Sequence, residues 1–303
     1  MIPDQAGFPA LKTPDLLALR HNFAMRTVVL TYHSVNISSN DYAGNDHVAL
    51  REDLRLIAGL GLPVVPLRTV VAALNDPANA PFERAVALSC DDGSWFDWHD
   101  LQHPTWGMQR SFRGILDDHH RGTGIAAEMS SFVITSPEAR ADLDRLSLID
   151  KGWWDDSWWP QAATESLLRI ENHSWDHNHE AVSRRAAPDT WPGNFTHIDK
   201  FERADRQIRQ ASDYLNRHCA PWRSTLFAYP YGDSNDYLQR EYLPDFQHQH
   251  GLQAAFTTEP EPLTPATNRW SLGRYVCGFH WRSPDALRDL LSDGLGVQKF
   301  SGR

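Results

Sequence analysis

Short apolar runs alternate with amphipathic helical patterns along most of this 303-residue chain, and this alternation strongly limits the folds available to it. The apolar runs are rich in β-branched residues, as buried strands are, and they cover residues 27–33, 62–67, 84–90, 124–135, 224–230 and 252–258. The predicted helices cover residues 48–61, 67–75, 107–121, 197–218 and 283–294, the last capped by Ser283. Strands that alternate with helices pair in parallel and are covered by those helices, so we expect an α/β fold in one domain.

Polar segments follow several of the predicted strands directly. In parallel barrels, the functional residues lie on the loops after the carboxyl ends of the strands. The sequence therefore predicts that five polar segments meet at one rim, namely residues 33–34, 91–93, 172–177, 229–236 and 274–280.

Composition excludes several classes of protein. The net charge of −10 and the lack of a basic run argue against a nucleic-acid partner. Cys90, Cys219 and Cys277 are scattered and form no CxxC pair, which argues against a disulfide framework or a cysteine zinc site. No apolar stretch approaches the roughly 20 residues of a membrane span. No secretory signal is evident at the N-terminus, so the default expectation is a cytoplasmic protein.

Two short motifs contain residues suited to metal binding. His173 and His177 would lie on one face of a helical turn, and two histidines at that spacing form half of a metal site. Asp91 and Asp92 follow a predicted strand and precede Gly93, although Asp-Gly pairs are common in ordinary turns. Asp92 with the two histidines would form a two-histidine, one-carboxylate site with open positions for water and substrate.

Several segments together resemble a known family. "SCDDG" (89–93), "HSWDH" (173–177) and "AYPYG" (228–232) are similar, in this order, to three motifs of the polysaccharide deacetylases, which share the NodB homology domain (carbohydrate esterase family 4). "TYHSV" (31–35) and "LQAAFTTEP" (252–260) also resemble that family.

The resemblance implies a fold and an activity. The fold is a distorted parallel (β/α) barrel with about seven strands, a single domain at residues 26–292, between an N-terminal extension (1–25) and a C-terminal tail (293–303). The activity is hydrolysis of an acetyl group from an N-acetylated or O-acetylated sugar.

The resemblance also implies roles for individual residues. Asp91 matches the catalytic base, and the ligands of one divalent ion, expected to be zinc, are Asp92, His173 and His177. Tyr231 matches the residue whose backbone N–H stabilises the oxyanion. Asn172, Ser174 and Asp176 lie close enough in sequence to orient the ligands, and they are equally typical of turns.

The chain departs from the family pattern in three places. Cys90 stands where the family usually has an aromatic residue, and Ala228 stands where an arginine normally pairs with the catalytic aspartate. Arg274 is the expected substitute for that arginine. The usual Leu-x-His motif that supplies the general acid is absent, which leaves His280 as the candidate acid and His33 as an alternative or a substrate contact.

Two further segments have more than one interpretation. Residues 152–159 contain four tryptophans, which stack on sugars in some proteins but more often fill a core or an interface. Residues 94–120 are rich in acids and histidines, so a second metal site competes there with a solvated insertion.

Three other functions compete with sugar deacetylation. The nearest is hydrolysis of a small linear or cyclic amide on the same fold, as in the family's allantoinase-like branch. An iron(II) oxygenase uses a similar ligand set, but with His-x-Asp and a distant histidine on an all-β scaffold. A sugar-binding domain without activity is favoured by Ala228 and the missing acid, and disfavoured by the complete Asp91, Asp92, His173 and His177 set.

Overall fold

Seven strands form one parallel sheet in the computed structural model of the protein, which describes residues 25–148 and 150–298. The order across the sheet is β8-β7-β6-β5-β2-β1-β9. The strands are β1 (Arg26–Tyr32), β2 (Arg84–Asp92), β5 (Met129–Val133), β6 (Leu168–Asn172), β7 (Leu226–Ala228), β8 (Ala254–Phe256) and β9 (Tyr275–Val276). A separate antiparallel hairpin pairs β3 (Leu101–His103) with β4 (Gly107–Gln109).

Alternate residues of the central strands face two different apolar layers. Val28 and Leu30 of β1 belong to the cluster that includes the helices at 46–59 and 284–295, whereas Val29 belongs to a cluster with side chains of β5, β7, β8 and the helix at 67–75. Phe132 of β5 and Phe256 of β8 lie with ring centroids 5.7 Å apart although three strand positions separate them in the sheet. The sheet is therefore curled around its own interior, which confirms the predicted distorted parallel barrel with about seven strands.

The two edges of the sheet approach each other near residue 272. Leu272 forms a parallel bridge with Phe256 of β8 at one edge. Three residues later, Tyr275 begins β9, which pairs with β1 at the other edge. Residues 272–276 thus run from one edge strand to the other and bring Arg274 over the interior.

Helices cover the outer face of the sheet. They are α1 (Asp46–Gly59), α2 (Leu67–Asn75), α3 (Phe112–Thr123), α4 (Pro137–Ser147), α5 (Trp159–Glu165), α6 (Phe201–Gln207), α7 (Arg209–His218), α8 (Leu243–Asp245), α9 (Gln247–His250) and α10 (Pro284–Leu295). Ser111, Ser136 and Ser283 each accept a backbone N–H three residues later, as N-cap serines do. The predicted cap at Ser283 is confirmed.

Three predicted elements differ in the structure. Residues 62–67 form only one bridge, Val64 with Val86, because prolines 63 and 66 lack the N–H that a longer ladder needs. Residues 107–109 belong to the β3–β4 hairpin, so the helix predicted from 107 begins at Phe112. The helix predicted over 197–218 is two helices that meet at Ile208.

The predicted terminal segments fall largely beyond the described part of the chain. Residues 1–24 of the predicted N-terminal extension and residues 299–303 of the predicted tail lie outside the described residues. Within the described ranges, no helix combines the length and apolarity that membrane crossing requires. Cys90, Cys219 and Cys277 are buried free thiols.

Candidate active site

A cavity of about 470 Å³ lies at the carboxyl ends of the parallel strands. Each of the five polar segments predicted to share a rim contributes to it, through His33, Asp91 and Asp92, His173 and His177, Tyr231 and Gly232, and Val276 and His280. The strand ends meet here because all seven strands run in the same direction. The predicted convergence is confirmed.

Asp92, His173 and His177 bring three possible ligand atoms together at the base of the cavity. Asp92 Oδ1 lies 3.7 Å from His173 Nε2 and 3.8 Å from His177 Nε2. Tetrahedral zinc with bonds of about 2.0–2.1 Å separates its ligand atoms by about 3.3 Å, so small side-chain movements suffice to close the set. In residues 25–148 and 150–298, this is the one group of three or more potential ligand side chains that converges.

The hydrogen bonding and burial of the two imidazoles suit metal binding. His173 Nδ1 lies 2.8 Å from the Ala228 carbonyl, so Nδ1–H donates to that carbonyl and Nε2 is the ring nitrogen that faces Asp92. Burial, reinforced by the neighbouring His173 ring, lowers the pKa of His177 well below its usual value. His177 is therefore a neutral ring whose Nε2 lies 3.8 Å from Asp92 Oδ1.

The segment that carries the histidines is an irregular loop, so the predicted helical turn at 173–177 is wrong. Ser174 and His177 adopt positive φ values of 72° and 61°, which a helix does not allow. Asn172 Oδ1 accepts the Ser174 N–H at 2.7 Å, and Ser174 Oγ accepts the His177 N–H at 2.9 Å. Asp176 Oδ1 accepts the N–H of Asn178. These three side chains accept hydrogen bonds from backbone N–H groups of the loop, not from the imidazole rings, so they fix the shape of the backbone.

Asp91 is paired with a buried arginine. Arg274 Nη1 and Nη2 donate to Asp91 Oδ1 and Oδ2 at 2.7 and 2.8 Å, and the guanidinium is completely buried. The Thr257 carbonyl accepts a hydrogen bond from Arg274 Nε–H at 3.1 Å, which fixes the plane of the guanidinium group. The contact predicted between Arg274 and Asp91 is confirmed.

The charge of Arg274 decides the ionisation of Asp91. Burial by itself would raise the pKa of this carboxyl, but the guanidinium and the nearby His173 hold the pKa well below its usual range. Asp91 is therefore a carboxylate at neutral pH, next to the group of possible metal ligands.

Backbone strain is concentrated around the same cavity. Asp92 has φ 77° and Tyr231 has φ 61°, and each is followed by a glycine that also has positive φ. An added Cβ at Gly93 would lie 2.5 Å from Val133 Cγ1, and one at Gly232 would lie 2.0 Å from Thr258 Oγ1. Strained residues that cluster in a cavity are typical of functional sites.

Comparisons with known proteins find a family model that matches part of the chain. Residues 151–253 match the family model for polysaccharide deacetylase. This match includes His173, His177 and Tyr231, whereas Asp91, Asp92 and Arg274 lie outside it. This segment of the chain is therefore similar to the polysaccharide deacetylases. No curated protein matches the chain.

Solved deacetylase structures share the fold over nearly their whole length. The deacetylase PplD from Streptococcus pyogenes, in complex with acetate, has a TM-score of 0.60 at 15% identity and covers 88% of this chain and 99% of its own. IcaB from Ammonifex degensii has a TM-score of 0.60 at 18% identity, and the match covers 89% of this chain and 97% of IcaB. A de-N-acetylase from Aggregatibacter actinomycetemcomitans has a TM-score of 0.55 at 17% identity, and the match covers 88% of this chain and 99% of the de-N-acetylase.

The departures from the deacetylase pattern have structural explanations. Ala228 contributes its backbone carbonyl to His173 and a small buried side chain to the interior, while Arg274 reaches Asp91 from the segment that precedes β9. Cys90 is buried, and its thiol faces Asp97 at 3.5 Å.

The two candidate acids both line the cavity but differ in hydrogen bonding. His280 Nδ1 accepts the Val276 N–H at 2.7 Å, so the neutral ring carries its proton on Nε2, and burial lowers the pKa of His280. His33 Nδ1 is buried, and no hydrogen-bond partner for it exists among the described residues.

The tryptophan-rich segment at 152–159 is mostly core. Trp158 and Trp159 are buried, and Trp158 stacks on Trp98 with centroids 5.7 Å apart. Trp154 differs because it lines the cavity and donates its indole N–H to the Asp92 carbonyl at 3.1 Å. Sequence reasoning noted the segment but could not separate this tryptophan from its neighbours.

Sequence reasoning missed other residues of the cavity wall. These are Val35, Ile134, Leu143, Ser147, His179, Thr258 and Phe279. Thr258 and Phe279 lie within segments that the motifs had indicated. Leu143 and Ser147 belong to α4, and nothing in that helix distinguishes cavity residues from core residues.

Proposed function

We propose that this protein is a metal-dependent hydrolase that removes the acetyl group from an N-acetylated sugar or polysaccharide. The observation that carries the proposal is the junction of two groups in one cavity: the carboxylate of Asp91 held by Arg274, and the convergent set Asp92, His173 and His177. The similarity of residues 151–253 to the polysaccharide deacetylase family supports the deacetylase activity.

The metal would be held by Asp92 Oδ1, His173 Nε2 and His177 Nε2. Neutral imidazoles and a carboxylate are ligands that zinc accepts, and the fixed tautomer of His173 supports this assignment. When bound, a divalent ion supplies Lewis acidity and lowers the pKa of a coordinated water to about 7.

Asp91 is the proposed general base. Its buried carboxylate remains ionised beside Arg274, so it is ready to accept a proton from the water that attacks the amide carbonyl. Arg274 keeps the carboxylate oriented through two parallel hydrogen bonds. The backbone N–H of Tyr231, on its strained turn at the cavity, is the proposed donor to the developing oxyanion.

We assign proton donation to the leaving amine to His33 rather than to His280. A general acid of this type is an imidazolium ion, and His280 would have to break its bond from Val276 N–H to become one. His33 lines the same cavity, and its buried Nδ1 has no hydrogen-bond partner among the described residues, so a proton on that atom breaks no existing hydrogen bond. His280 then serves as a wall residue that contacts substrate.

An acetylated sugar is the substrate class that the comparisons favour. PplD was solved with acetate, and another structural neighbour is a de-N-acetylase. The cavity volume of about 470 Å³ lies within the range of small-molecule sites. The alternative of an inactive sugar-binding domain rested partly on Ala228, and the Arg274–Asp91 pair removes that argument.

The test measures hydrolysis of a substrate panel by the zinc-loaded protein, as acetate release from the acetylated compounds and as loss of the amide bond in the small amides. The panel contains N-acetylglucosamine oligosaccharides, O-acetylated sugars, and small linear and cyclic amides. We expect acetate from the N-acetylated oligosaccharides. Hydrolysis of the small amides alone would replace the proposal with an allantoinase-like function.

A further inference from the structure

The indole of Trp154 forms a hydrogen bond with the backbone of a proposed metal ligand. Nε1–H of Trp154 donates to the Asp92 carbonyl at 3.1 Å, and the side chain is almost fully buried. The ring also forms part of the cavity wall. Trp154 thus lies on the cavity side of the strand end that carries Asp92.

The Asp92 peptide needs such support. Asp92 has φ 77° and Gly93 has φ 78°, so two consecutive residues adopt left-handed conformations as β2 ends. An aspartate persists in that region only where its surroundings fix it. The Asp92 carbonyl accepts two hydrogen bonds, one from Ile134 N–H at 3.2 Å and one from Trp154. The direction of this peptide sets the direction in which the carboxylate leaves the backbone.

Trp154 is itself held in place by α4 and by the loop after β2. Both carboxylate oxygens of Asp144 accept backbone N–H groups of the tryptophan segment, from Gly152 and Trp153, each at 2.8 Å. The Trp153 carbonyl accepts the Trp95 N–H at 2.8 Å. The indole therefore comes from a fixed segment and not from a freely moving loop.

The neighbouring tryptophans provide a contrast. Nε1 of Trp158 and Nε1 of Trp159 are buried, and neither has a hydrogen-bond partner among the described residues. Those two rings fill the core, whereas Trp154 uses its N–H at the metal-ligand turn.

We propose that Trp154 is a positioning residue for Asp92, which it aims at His173 and His177 through the hydrogen bond to its carbonyl. The proposal rests on the proposed function, because it concerns the same metal site. Groups that orient metal ligands typically change metal affinity by 10–100-fold when they are removed.

The test compares zinc affinity in the wild type, Trp154→Phe and Trp158→Phe, measured by competition with a chromophoric chelator. Phenylalanine keeps an aromatic ring and removes the N–H in both variants. We expect Trp154→Phe to bind zinc about 10-fold more weakly, and Trp158→Phe to match the wild type within about twofold because its N–H has no acceptor. Equal affinity in all three proteins would overturn the inference and leave the proposed function intact.

A second measurement on the wild type does not depend on how the variants fold. The assigned indole ¹H–¹⁵N resonance of Trp154 should shift when one equivalent of zinc is added, while the Trp158 resonance stays in place. An unmoved Trp154 resonance in a protein that binds zinc would overturn the positioning role. Failure of the wild type to bind zinc at all would overturn both the inference and the proposed metal site.

Discussion

Replacement of Arg274 by methionine should leave Asp91 as an unpaired charge in a buried site. The side chains of Arg274 and Asp91 are 0% and 4% exposed. Removal of one partner of such a pair typically costs about 3–5 kcal/mol, because the remaining charge keeps its desolvation penalty. We therefore expect Arg274→Met to lower the free energy of unfolding by about 3–5 kcal/mol at pH 7.

The sign of the pH dependence follows from the pKa of Asp91. In the wild type the pKa of Asp91 lies well below its usual range. The ion pair therefore contributes its full stability at any pH above the pKa that Asp91 has in the unfolded chain. That contribution is lost as the pH falls through the lower pKa of the folded state. Without Arg274, burial raises the pKa of Asp91. The deficit of the variant should therefore shrink as the pH is lowered from 7 towards 4.

The assay is urea unfolding of chelator-treated protein, with a double-mutant cycle. Arg274→Met leaves the charge of Asp91 without a partner, and Asp91→Asn removes that charge. The double variant should therefore be more stable than the sum of the two single effects predicts, by up to about 3 kcal/mol. Single effects that add within about 0.5 kcal/mol, the limit for independent sites, would refute the reasoning.

Three other predictions concern the base, the acid and a buried carboxyl group. Asp91→Asn should retain metal and lose about 10²–10⁴-fold in turnover, by metal analysis and acetate release, whereas Arg274→Met should move the acidic limb of the rate–pH profile upward. His33→Ala should reduce kcat far more than His280→Ala, and the reverse order would restore His280 as the acid. Burial raises the pKa of Asp53 to about 7, so between pH 4 and pH 7 the wild type should lose about 3 kcal/mol more stability in urea unfolding than Asp53→Asn does.

The strand ends and their polar residues could be predicted from the sequence because both depend on local patterns. β1 and β2 are continuous apolar runs, and "DDG" follows one of them directly. Parallel pairing then places the loops at one rim. The same argument singled out Arg274 as a residue that follows a predicted strand, whereas in the structure Arg274 contacts Asp91 from the position directly before β9.

Features that depend on long-range contacts could not be predicted. Residues 197–218 have a helical pattern throughout, but the Gln207 carbonyl accepts the Trp175 N–H and the Ile208 carbonyl accepts Asn172 Nδ2–H. These bonds tie the helix to the histidine loop where α6 ends, and contacts of this kind interrupt helices. The loop at 173–177 likewise takes its shape from three side chains that bond to its own backbone.

The role of Trp154 shows the same limit within the site. Trp158 and Trp159 are also buried tryptophans of the same segment, and only the fold places the indole of Trp154 against the Asp92 carbonyl. Helix α4 is comparable, because Leu143 reaches the cavity through the position of the helix and not through a motif.

Acetate release during a zinc titration of the metal-free protein tests the central claim most directly. With N-acetylglucosamine oligosaccharides as substrate, we expect no release without metal and a rate that rises to a plateau at one zinc per chain. Asp92→Ala should stay inactive over the same titration, since it lacks one of the three converging ligands. Release that is independent of zinc, or unchanged in Asp92→Ala, would contradict the account.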